Sequence, residues 1–359
     1  MGTQLEWIAE RARDRSFVFT NLAHHLDENR LRSAYRHIRK DGAWGVDRTS
    51  AQAYGAHLDA NLKDVHARLR DRRYQPPPLR RAWIPKASGA ERPIGIPTFE
   101  DKIVQRAVAD LLEPVYEATF HNFSYGFRRG RGAHDALRAL RQSVMEHGIR
   151  WIVDADIEGF FAHIHHGMMQ ELIRHRVSGR GILRLTGRWL RAGVLEEGQY
   201  QPTTEGTPQG GVISPLLANI YLHYALDEWW ANDVRPRLRG RSVLIRFADD
   251  FVAGFELESD ARRFLDVLGK RLARFHLRLH SEKTRLLDAC LSAKLRGHYA
   301  YFGVRTNMRA LERVLYMTRR HWRHWLCRRS QHARIGWDRW AVATKRFELP
   351  RPRIMVSWA

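Results

Sequence analysis

Apolar residues recur at helical spacing through the first 75 residues of the chain. The segments LRSAYRHIRK and LDANLKDVHARLRDRRY carry them at intervals of three and four, which is typical of amphipathic helices. The run Gln75-Pro76-Pro77-Pro78 ends this region, because proline removes an amide donor and restricts the residue before it. Beyond it, LRRAWIPKASGAERPIGIPT predicts a hairpin that turns at Ser88-Gly89 and stops at Pro97, and helical periodicity returns from Phe99 to Phe120.

Short apolar runs replace the helical pattern from residue 151 onward. WIVDADIEGFF predicts a strand with Asp154 and Asp156 on one face. SVLIRF and FVAGFE predict two further strands around Ala248-Asp249-Asp250, so two adjacent carboxylates lie at a hairpin turn. Two more helices are predicted, from Asp260 to Leu279 and from Ala310 to Arg329, each with one apolar stripe.

Composition bounds the number of packed units and the class of partner. The chain has 359 residues, of which 44% are hydrophobic, enough for two or three units with cores of their own. Lys and Arg number 61 against 39 Asp and Glu, a net charge of +22. This excess favours a polyanionic partner whose binding weakens as salt rises. Nucleic acid is the first candidate; an acidic membrane surface, or a basic surface without a specific partner, is the alternative.

The sequence also sets expectations about location and cysteine chemistry. It contains no run of about 18 apolar residues, and Glu6, Glu10 and Asp14 interrupt the start where a signal peptide needs an apolar segment. We therefore expect a soluble, cytoplasmic protein with no membrane partner. Cys290 and Cys327 do not suffice for a disulfide framework. Without a Cys-x-x-Cys pair we expect neither a structural zinc site nor a zinc-dependent nuclease module.

The candidate catalytic residues are the carboxylates of Asp156, Asp249 and Asp250. If the strand that Asp156 closes lies beside the hairpin, the three converge, and such a cluster repels itself unless divalent cations bind. Mg²⁺ prefers carboxylate and phosphate oxygens. Two such ions roughly 3.5–4 Å apart support phosphoryl transfer by activating the attacking oxygen and stabilising the leaving group. From the Asp249-Asp250 pair alone, an ordinary polar turn remains the better explanation.

Five ordered motifs resemble one known family. Phe247-Ala248-Asp249-Asp250, preceded by DIEGFF at residues 156–161, resembles the catalytic signature of reverse transcriptases encoded by bacterial group II introns. The other matches follow the family's order: RPIGIP at 92–97, SYGFRRGRGAHDAL at 124–137, GTPQGGVISPLLANIYLH at 206–223 and HSEKTRL at 280–286. The resemblance runs from about residue 19 to the C terminus.

This resemblance implies an α+β fold of the right-hand polymerase type. Residues 1–150 would form the fingers with an N-terminal RNA-binding extension and the first palm helix. Residues 151–290 would form the palm, an antiparallel sheet with the catalytic carboxylates, and residues 291–359 a shortened helical thumb and maturase region. The implied activity is RNA-directed DNA polymerisation, in which a DNA primer or target is extended on an RNA template from deoxynucleoside triphosphates. Binding and splicing of intron RNA is the implied second role.

The same resemblance assigns the metal ligands. Asp156 and Asp249 would be the principal ligands of two Mg²⁺ ions and Asp250 the third carboxylate. Asp154 is set aside, because the family's spacing counts from the acid five residues before the second aromatic residue of DIEGFF.

Nucleotide-binding roles are implied for four further residues. Lys86 and Arg92 would hold the triphosphate, which suits the charge that phosphoryl transfer must neutralise. Phe161 would crowd a sugar 2′-hydroxyl and so favour deoxynucleotides, and Gln209 would contact the incoming nucleotide. Lys283 would contact the nucleotide or the template backbone, or serve a structural role.

The chain also departs from the family. Arg129 stands where proline is preferred and Arg48 where glycine is usual, and Phe161 is followed by Ala162-His163 instead of acids. We interpret His163, His165 and His166 as surface or capping residues. After Leu287 the sequence passes almost directly to residues that resemble the end of the family's thumb, so a segment that normally supports the primer end is missing.

The missing segment leaves a second hypothesis open. In this hypothesis the chain is an RNA-binding maturase or a decayed remnant without polymerase activity. A defence-associated reverse transcriptase would share the carboxylates, but the GTPQGGVISPLLANIYLH block favours the intron type.

Overall fold

The computed structural model describes residues 2–85, 91–146, 148–207, 210–288 and residue 316. These residues form a mixed α/β fold with two separate sheets. The α-helices in the described ranges are α1 (Gly2–Ala12), α2 (Glu28–His37), α3 (Ala51–Ala56), α4 (Leu58–Arg70), α5 (Phe99–Glu117), α6 (Ala133–Glu146), α7 (His166–Arg174), α8 (Arg180–Leu190), α9 (Ser214–Leu222) and α10 (Glu258–Ala273). Two π-helical turns, His223–Asp227 and Trp230–Val234, follow α9.

The two sheets differ in strand direction. Their strands are β1 (Leu79–Pro85), β2 (Glu91–Ile96), β3 (Trp151–Ala155), β4 (Val194–Glu196), β5 (Gln199–Gln201), β6 (Ser242–Phe247), β7 (Asp250–Phe255) and β8 (Arg285–Asp288). The first sheet has the order β2-β1-β4-β5 and is mixed, because β1 runs parallel to β4 and antiparallel to β2. The second sheet has the order β6-β7-β3-β8 and is antiparallel throughout.

Helix α5 is the central element of the main hydrophobic core. Most of its residues are buried, and it packs against α1 and α2 on one side and α9 on another. Its N terminus is capped by Thr98, whose hydroxyl accepts a hydrogen bond from the Asp101 amide. The same core continues beneath the second sheet, where Val153, Ala253 and Leu268 are fully buried between the strands and α10.

A buried carboxylate at the start of α5 ties three elements together. Asp101 accepts hydrogen bonds from the Tyr74 hydroxyl, the Trp189 indole and the Gln105 amide, each at 2.8 Å. Burial raises the pKa of Asp101 to about 6, and the three donors oppose that rise by stabilising the carboxylate. Gln105 in turn accepts a hydrogen bond from the Ile213 amide at 3.3 Å, which connects this cluster to the segment that begins α9.

The described elements confirm the predicted helices of the N-terminal region and the hairpin around residues 79–96. The turn of that hairpin at Ser88-Gly89 and the helix predicted from Ala310 to Arg329 lie outside the described residues. The helix predicted from Asp260 to Leu279 was too long, since α10 ends at Ala273. Beyond it His276 adopts a left-handed conformation with φ of 56°, yet Leu277 is buried, so apolar spacing continues after the helix has stopped.

The fold class is consistent with the α+β expectation. No helix among the described residues is both long and apolar enough to cross a bilayer.

The Asp101 cluster predicts a specific pH dependence of stability. The folded pKa of about 6 exceeds the ordinary aspartate value of 3.8, so the folded state holds its proton over a range where the unfolded chain has lost it. The contribution of Asp101 to stability therefore falls as pH rises from about 4 to about 6, by up to about 3 kcal/mol at about 1.4 kcal/mol per unit.

The measurement is urea unfolding of wild type and Asp101→Asn across this pH range. We expect the unfolding free energy of wild type, relative to that of Asp101→Asn, to fall as pH rises from 4 to 6. At neutral pH the variant should still be the less stable by about 1–3 kcal/mol, because its amide cannot accept from all three donors. A difference that does not change with pH would contradict the assigned role of Asp101.

Candidate active site

The three predicted carboxylates lie at adjacent strand ends of the second sheet. Strand β3 pairs with β7 so that Ala155 is opposite Phe251. Asp156 and Asp250 are the next residues along these two neighbouring segments. Asp249 precedes Asp250 in the turn between β6 and β7. The structure therefore brings together residues that lie about ninety positions apart in sequence. Asp156 itself falls one residue beyond the strand, which ends at Ala155.

The turn between β6 and β7 is a tight two-residue connection. Phe247 pairs with Asp250, which leaves Ala248 and Asp249 as the loop of what we call the aspartate hairpin, residues 242–255. Ala248 has φ of 59°, a left-handed conformation that a residue with a Cβ adopts at some cost. Surrounding contacts must hold the turn in this conformation.

The SYGF segment packs directly against this turn. A Cβ on Gly126 would lie 2.2 Å from the Ala248 nitrogen, so only glycine permits this approach. The Tyr125 amide donates to the Arg246 carbonyl at 2.8 Å, and the Arg246 amide donates to the Phe123 carbonyl at 2.9 Å. The segment thus extends the edge of the sheet along β6.

A fully buried ion pair lies beneath the turn. Both nitrogens of the Arg246 fork donate to Asp227, at 2.8 Å and 2.6 Å, and neither side chain is exposed. The remaining guanidinium nitrogen donates to the Ala248 carbonyl and to Asn219 Oδ1, each at 2.9 Å. Asn219 completes the network by donating to the Gly126 carbonyl at 2.8 Å. Arg246 therefore fixes the turn from below while Gly126 confines it from the side.

The carboxylates raise one another's pKa. Burial is the largest cause of the raised pKa values of Asp249 and Asp250. The charge of Asp156 raises both pKa values further, and the charge of Asp249 adds to the rise in the pKa of Asp250. Asp154 also has a raised pKa, through burial and the nearby Asp156 charge. The cluster is thus a site of concentrated negative charge.

Two cations oppose this charge. Lys283 donates to Asp156 Oδ2 at 2.5 Å, and this contact raises the pKa of the lysine. Arg92, on β2 of the first sheet, lowers the pKa of Asp249. The charge of Arg92 thus acts on the aspartate hairpin from the first sheet.

The donor set fits Mg²⁺. Three carboxylates at one strand edge are the hard oxygen ligands that this ion prefers, and a divalent cation would relieve the repulsion among them. Asp156, Asp249 and Asp250 are the residues that would hold such ions.

Phe161 lies five residues after Asp156 in the sequence. Its ring is 7% exposed and packs edge-on against Phe160 in a short 3₁₀ turn, Phe160–Ala162. The Phe161 carbonyl accepts a hydrogen bond from the Thr207 amide at 2.7 Å, and the Ile164 carbonyl accepts from the Gly206 amide at 2.8 Å. These bonds attach the start of the GTPQGG segment to the aromatic turn.

Two glycines let this segment approach its neighbours. A Cβ on Gly206 would lie 2.7 Å from the Ala162 carbonyl oxygen, and one on Gly210 would lie 2.6 Å from the Gly95 carbonyl oxygen of β2. Both have positive φ, 84° and 116°. The segment therefore bridges the aromatic turn and the first sheet. Lys86 and Gln209, predicted to bind nucleotide, lie outside the described residues.

The reading of the three histidines holds for two of them. His165 caps α7 by accepting from the Met168 amide at 3.2 Å, and His163 is half exposed. His166 was wrongly interpreted as a surface or capping residue. It is buried, and its Nε2 lies 2.7 Å from the Gly206 carbonyl oxygen, where it supports the GTPQGG segment.

Sequence reasoning missed the residues that hold the turn. Arg246 lies in the apolar strand text LIRF, and a charged residue there signals a buried pair, because an unpaired charge in a core is too costly. Its partners Asp227 and Asn219 carry no comparable local signal. They follow or lie within the apolar helix α9, and only the fold brings them beneath the hairpin.

Comparison with known proteins identifies the family. A family model described as "Reverse transcriptase (RNA-dependent DNA polymerase)" matches residues 84–310. This match covers more than half of the chain, including the second sheet, strands β2, β4 and β5 of the first sheet and all three carboxylates. The chain belongs to the reverse transcriptase family.

Curated relatives of this reverse transcriptase include intron-encoded proteins. Protein YkfC of Escherichia coli is 33% identical over 318 residues, covering 79% of this chain and 77% of that protein. The group II intron-encoded protein LtrA of Lactococcus lactis is 43% identical over 166 residues, covering 46% of this chain and 27% of LtrA. An uncharacterised 91 kDa protein in a cob intron of Schizosaccharomyces pombe is 39% identical over 178 residues, covering 50% and 22%.

These similarities confirm the resemblance to group II intron-encoded reverse transcriptases. They also show its extent, because the matched region spans about a quarter of the length of the intron-encoded relatives.

The buried ion pair of this reverse transcriptase predicts a large and asymmetric cost of mutation. Arg246→Ala should lower the unfolding free energy by about 3–5 kcal/mol, because it leaves Asp227 charged and unpaired in the core. The double variant Arg246→Met/Asp227→Leu should cost clearly less than the sum of its two single changes. Urea unfolding of wild type, Arg246→Ala, the single variants Arg246→Met and Asp227→Leu, and the double variant measures both effects.

A surface ion pair that flanks the aspartate hairpin serves as the matched control. Arg241 Nε lies 3.2 Å from Glu256 Oε2, with side chains 62% and 37% exposed. Arg241→Ala should therefore cost no more than about 1 kcal/mol. Equal losses from Arg241→Ala and Arg246→Ala would contradict the role assigned to the buried pair.

The raised carboxylate pKa values predict that Asp249→Asn stabilises the metal-free protein. A carboxyl whose pKa is raised by folding favours its neutral form, so its charge costs more as pH rises towards neutral. In EDTA at neutral pH the variant should melt at a higher temperature than wild type, and the difference should vanish in acid. Millimolar Mg²⁺ should raise the melting temperature of the wild type more than that of the variant. A less stable variant in EDTA at neutral pH would be evidence against charge repulsion at this site.

Proposed function

We propose that this chain is an RNA-directed DNA polymerase that extends a primer 3′-hydroxyl with deoxynucleotides by Mg²⁺-dependent nucleotidyl transfer. The convergence of Asp156 with the Asp249-Asp250 turn, in a chain of the reverse transcriptase family, is the observation that carries the proposal. A structural polar turn gives no reason for a third carboxylate beside it. Nor does it explain why a buried ion pair should hold the turn in a left-handed conformation.

The described elements suit a right-hand polymerase. In this proposal the first sheet and its helices belong to the fingers within residues 1–150, and the antiparallel second sheet is the palm within residues 151–290. Strands β4 and β5 join the first sheet although they lie beyond residue 150. The boundary at 150 is therefore one of sequence, with the two parts interleaved in space. The proposed shortened thumb, residues 291–359, lies outside the described residues apart from Tyr316.

The proposed roles of the chain's residues follow from their positions. Asp156, Asp249 and Asp250 would hold two metal ions, which would supply positive charge at the primer hydroxyl and at the leaving pyrophosphate. Lys283, hydrogen-bonded to Asp156, balances the carboxylate charge in the metal-free protein. Arg246 binds the Ala248 carbonyl and so positions the turn that carries Asp249 and Asp250.

The nucleotide would bind between the first sheet and the aspartate hairpin. Arg92 is exposed on β2 and acts electrostatically on Asp249, so its guanidinium lies where a triphosphate would bridge the two sheets. Phe161, five residues after Asp156 in the aromatic turn, would contact the sugar and exclude a 2′-hydroxyl. Lys86 and Gln209 are proposed as further nucleotide contacts on the resemblance alone.

A second role, binding of intron RNA, is proposed from charge and similarity. The net charge of +22 favours a polyanion, and LtrA is described as a group II intron-encoded protein. The short overlap with the intron-encoded relatives, 22–27% of their length, favours keeping a second candidate: an RNA-binding maturase without polymerase activity. Template RNA, intron RNA and a DNA primer or target are the proposed partners in the first case, and intron RNA alone in the second.

Primer extension on an RNA template with Mg²⁺ tests the polymerase. Wild type should make DNA product, and Asp249→Asn and Asp156→Asn should each lose at least about a thousandfold in rate, since each removes a ligand of the proposed metal pair. Asp266→Asn, on the exposed face of α10, is the charge-matched control and should retain the wild-type rate.

RNA binding measured on the same proteins separates the two candidates. No product from wild type, with salt-sensitive RNA binding retained in all variants, would favour the maturase without polymerase activity. Product from Asp249→Asn at the wild-type rate would overturn the assignment of the metal-binding carboxylates.

A further inference from the structure

A second group of metal-ligating side chains lies outside the carboxylate site. It consists of His121 in the loop after α5, His223 at the start of a π-helical turn, and Glu228 just beyond that turn. One ligand atom from each lies within 4.8 Å of the other two. It is the one group of three or more His, Cys, Asp or Glu residues that meets this geometry in the part of the chain that the structure describes.

The separations between the ligand atoms in this group are close to those of a tetrahedral metal site. His121 Nε2 lies 2.8 Å and His223 Nε2 3.5 Å from the same oxygen, Glu228 Oε1. A tetrahedral ion with bonds of about 2.0–2.1 Å separates its ligand atoms by about 3.3 Å. One of the two measured separations is already close to this value, and the other must open by about half an ångström.

His223 is buried without satisfying its ring. The side chain is 2% exposed, and Nδ1 has no hydrogen-bond partner. Burial lowers the pKa of His223 to about 3, so the ring is neutral at physiological pH and keeps a lone pair. Neither tautomer of a neutral imidazole is fully satisfied here. Nε2, which faces Glu228 Oε1, is the ring nitrogen that would bind an ion.

The carboxylate is held in a ligand-like orientation. Asn232 donates to Glu228 Oε2 at 2.8 Å, which turns the other oxygen, Oε1, towards the two imidazoles. Outer partners of this kind orient metal ligands. His121 is likewise fixed, because its ring stacks on Phe123 with the planes 4° apart.

An ion would have a route in and one competing cation to displace. The side chains of His121 and Glu228 are 18% and 27% exposed, which leaves an open side for entry and for a solvent ligand. Arg15 Nη1 lies 3.9 Å from Glu228 Oε1, and its Nη2 donates to the Thr119 carbonyl at 3.5 Å; the side chain is 60% exposed. Two imidazole nitrogens and one carboxylate favour Zn²⁺ or Co²⁺ over Mg²⁺.

We propose that His121, His223 and Glu228 form a binding site for one transition-metal ion of the zinc type, separate from the aspartate hairpin. The ion would join the loop before the SYGF segment to the end of α9. That loop continues through Phe123, whose carbonyl accepts the Arg246 amide, so the site lies on the outer side of the contacts that hold the hairpin. The site does not depend on polymerase activity.

Titration of the metal-stripped protein with Co²⁺ tests the proposal. Millimolar Mg²⁺ is kept in the buffer so that the three aspartates are not the site observed. We expect one equivalent of Co²⁺ to bind with the visible absorption of a tetrahedral ion and without the near-ultraviolet charge-transfer band of a thiolate ligand. Binding should weaken as pH falls, because the ligands must lose their protons. Zn²⁺ should displace the Co²⁺.

Three variants give the test its specificity. His121→Ala should weaken Co²⁺ binding by more than the roughly 10- to 100-fold that loss of an outer-shell partner costs. Glu228→Gln, which keeps the shape of the side chain, should act in the same direction and serves if His121→Ala does not fold. His66→Ala is the matched control, because His66 also pairs with one carboxylate, Glu28, at 3.5 Å, yet belongs to no such three-residue group in the described ranges.

The outcomes are distinct. Loss of the Co²⁺ signal in His121→Ala and Glu228→Gln, with His66→Ala unchanged, supports the site. No Co²⁺ binding by wild type, equal binding by all variants, or a thiolate band that the variants leave intact would overturn it. In that case His121 and Glu228 form only a hydrogen-bonded pair.

Discussion

The buried ion pair between Arg246 and Asp227 is the interaction on which the candidate site depends. The aspartate hairpin must present two charged residues at the end of a strand, in a turn whose Ala248 is left-handed. Such a turn is not stable by itself. Arg246 binds its carbonyl from within the core, and Asp227 compensates the charge of the arginine. Because neither side chain reaches solvent, the pair has one geometry and the turn has one position.

Around this fixed point the other motifs act as supports. Gly126 closes one side of the turn, and the GTPQGG segment is attached to the aromatic turn by two backbone hydrogen bonds and to the first sheet through Gly210. The motifs that identify the family are therefore neighbours in space. Several of their glycines are required by the close approach of one backbone to another and not by contact with substrate.

The cost of this arrangement lies in the carboxylates. Burial and mutual repulsion raise the pKa values of Asp249 and Asp250, and Lys283 and Arg92 offset only part of the charge. In the proposed function, bound divalent cations would remove this repulsion.

Much of the site could be predicted from the sequence, for reasons that lie in strand geometry. Two apolar strands ending in aspartates predict converging carboxylates if they pair, and β3 does lie beside β7. Arg48, which stands where the family usually has glycine, has φ of 54°, so the family preference reflects a left-handed position. Arg129, where proline is preferred, forms ion pairs with Asp110 and Glu113.

What could not be predicted depends on packing between distant segments. Asp227, Asn219 and His223 occupy one stretch of chain whose local pattern is that of a buried helix. Their partners come from elsewhere: Arg246 from the hairpin and His121 from the loop after α5. The end of α10 was missed for a related reason, since Leu277 stays in the core after the helix has stopped and so preserves the apolar spacing.

The most direct test of the central claim is anomalous diffraction from crystals of the protein grown with Mn²⁺, a primer–template duplex and a non-hydrolysable deoxynucleotide. The account predicts two manganese peaks about 3.5–4 Å apart, both bound by Asp156 and Asp249, above an unbroken Arg246–Asp227 pair. Manganese elsewhere with none between Asp156 and the hairpin, while nucleotide and duplex are bound, would contradict it.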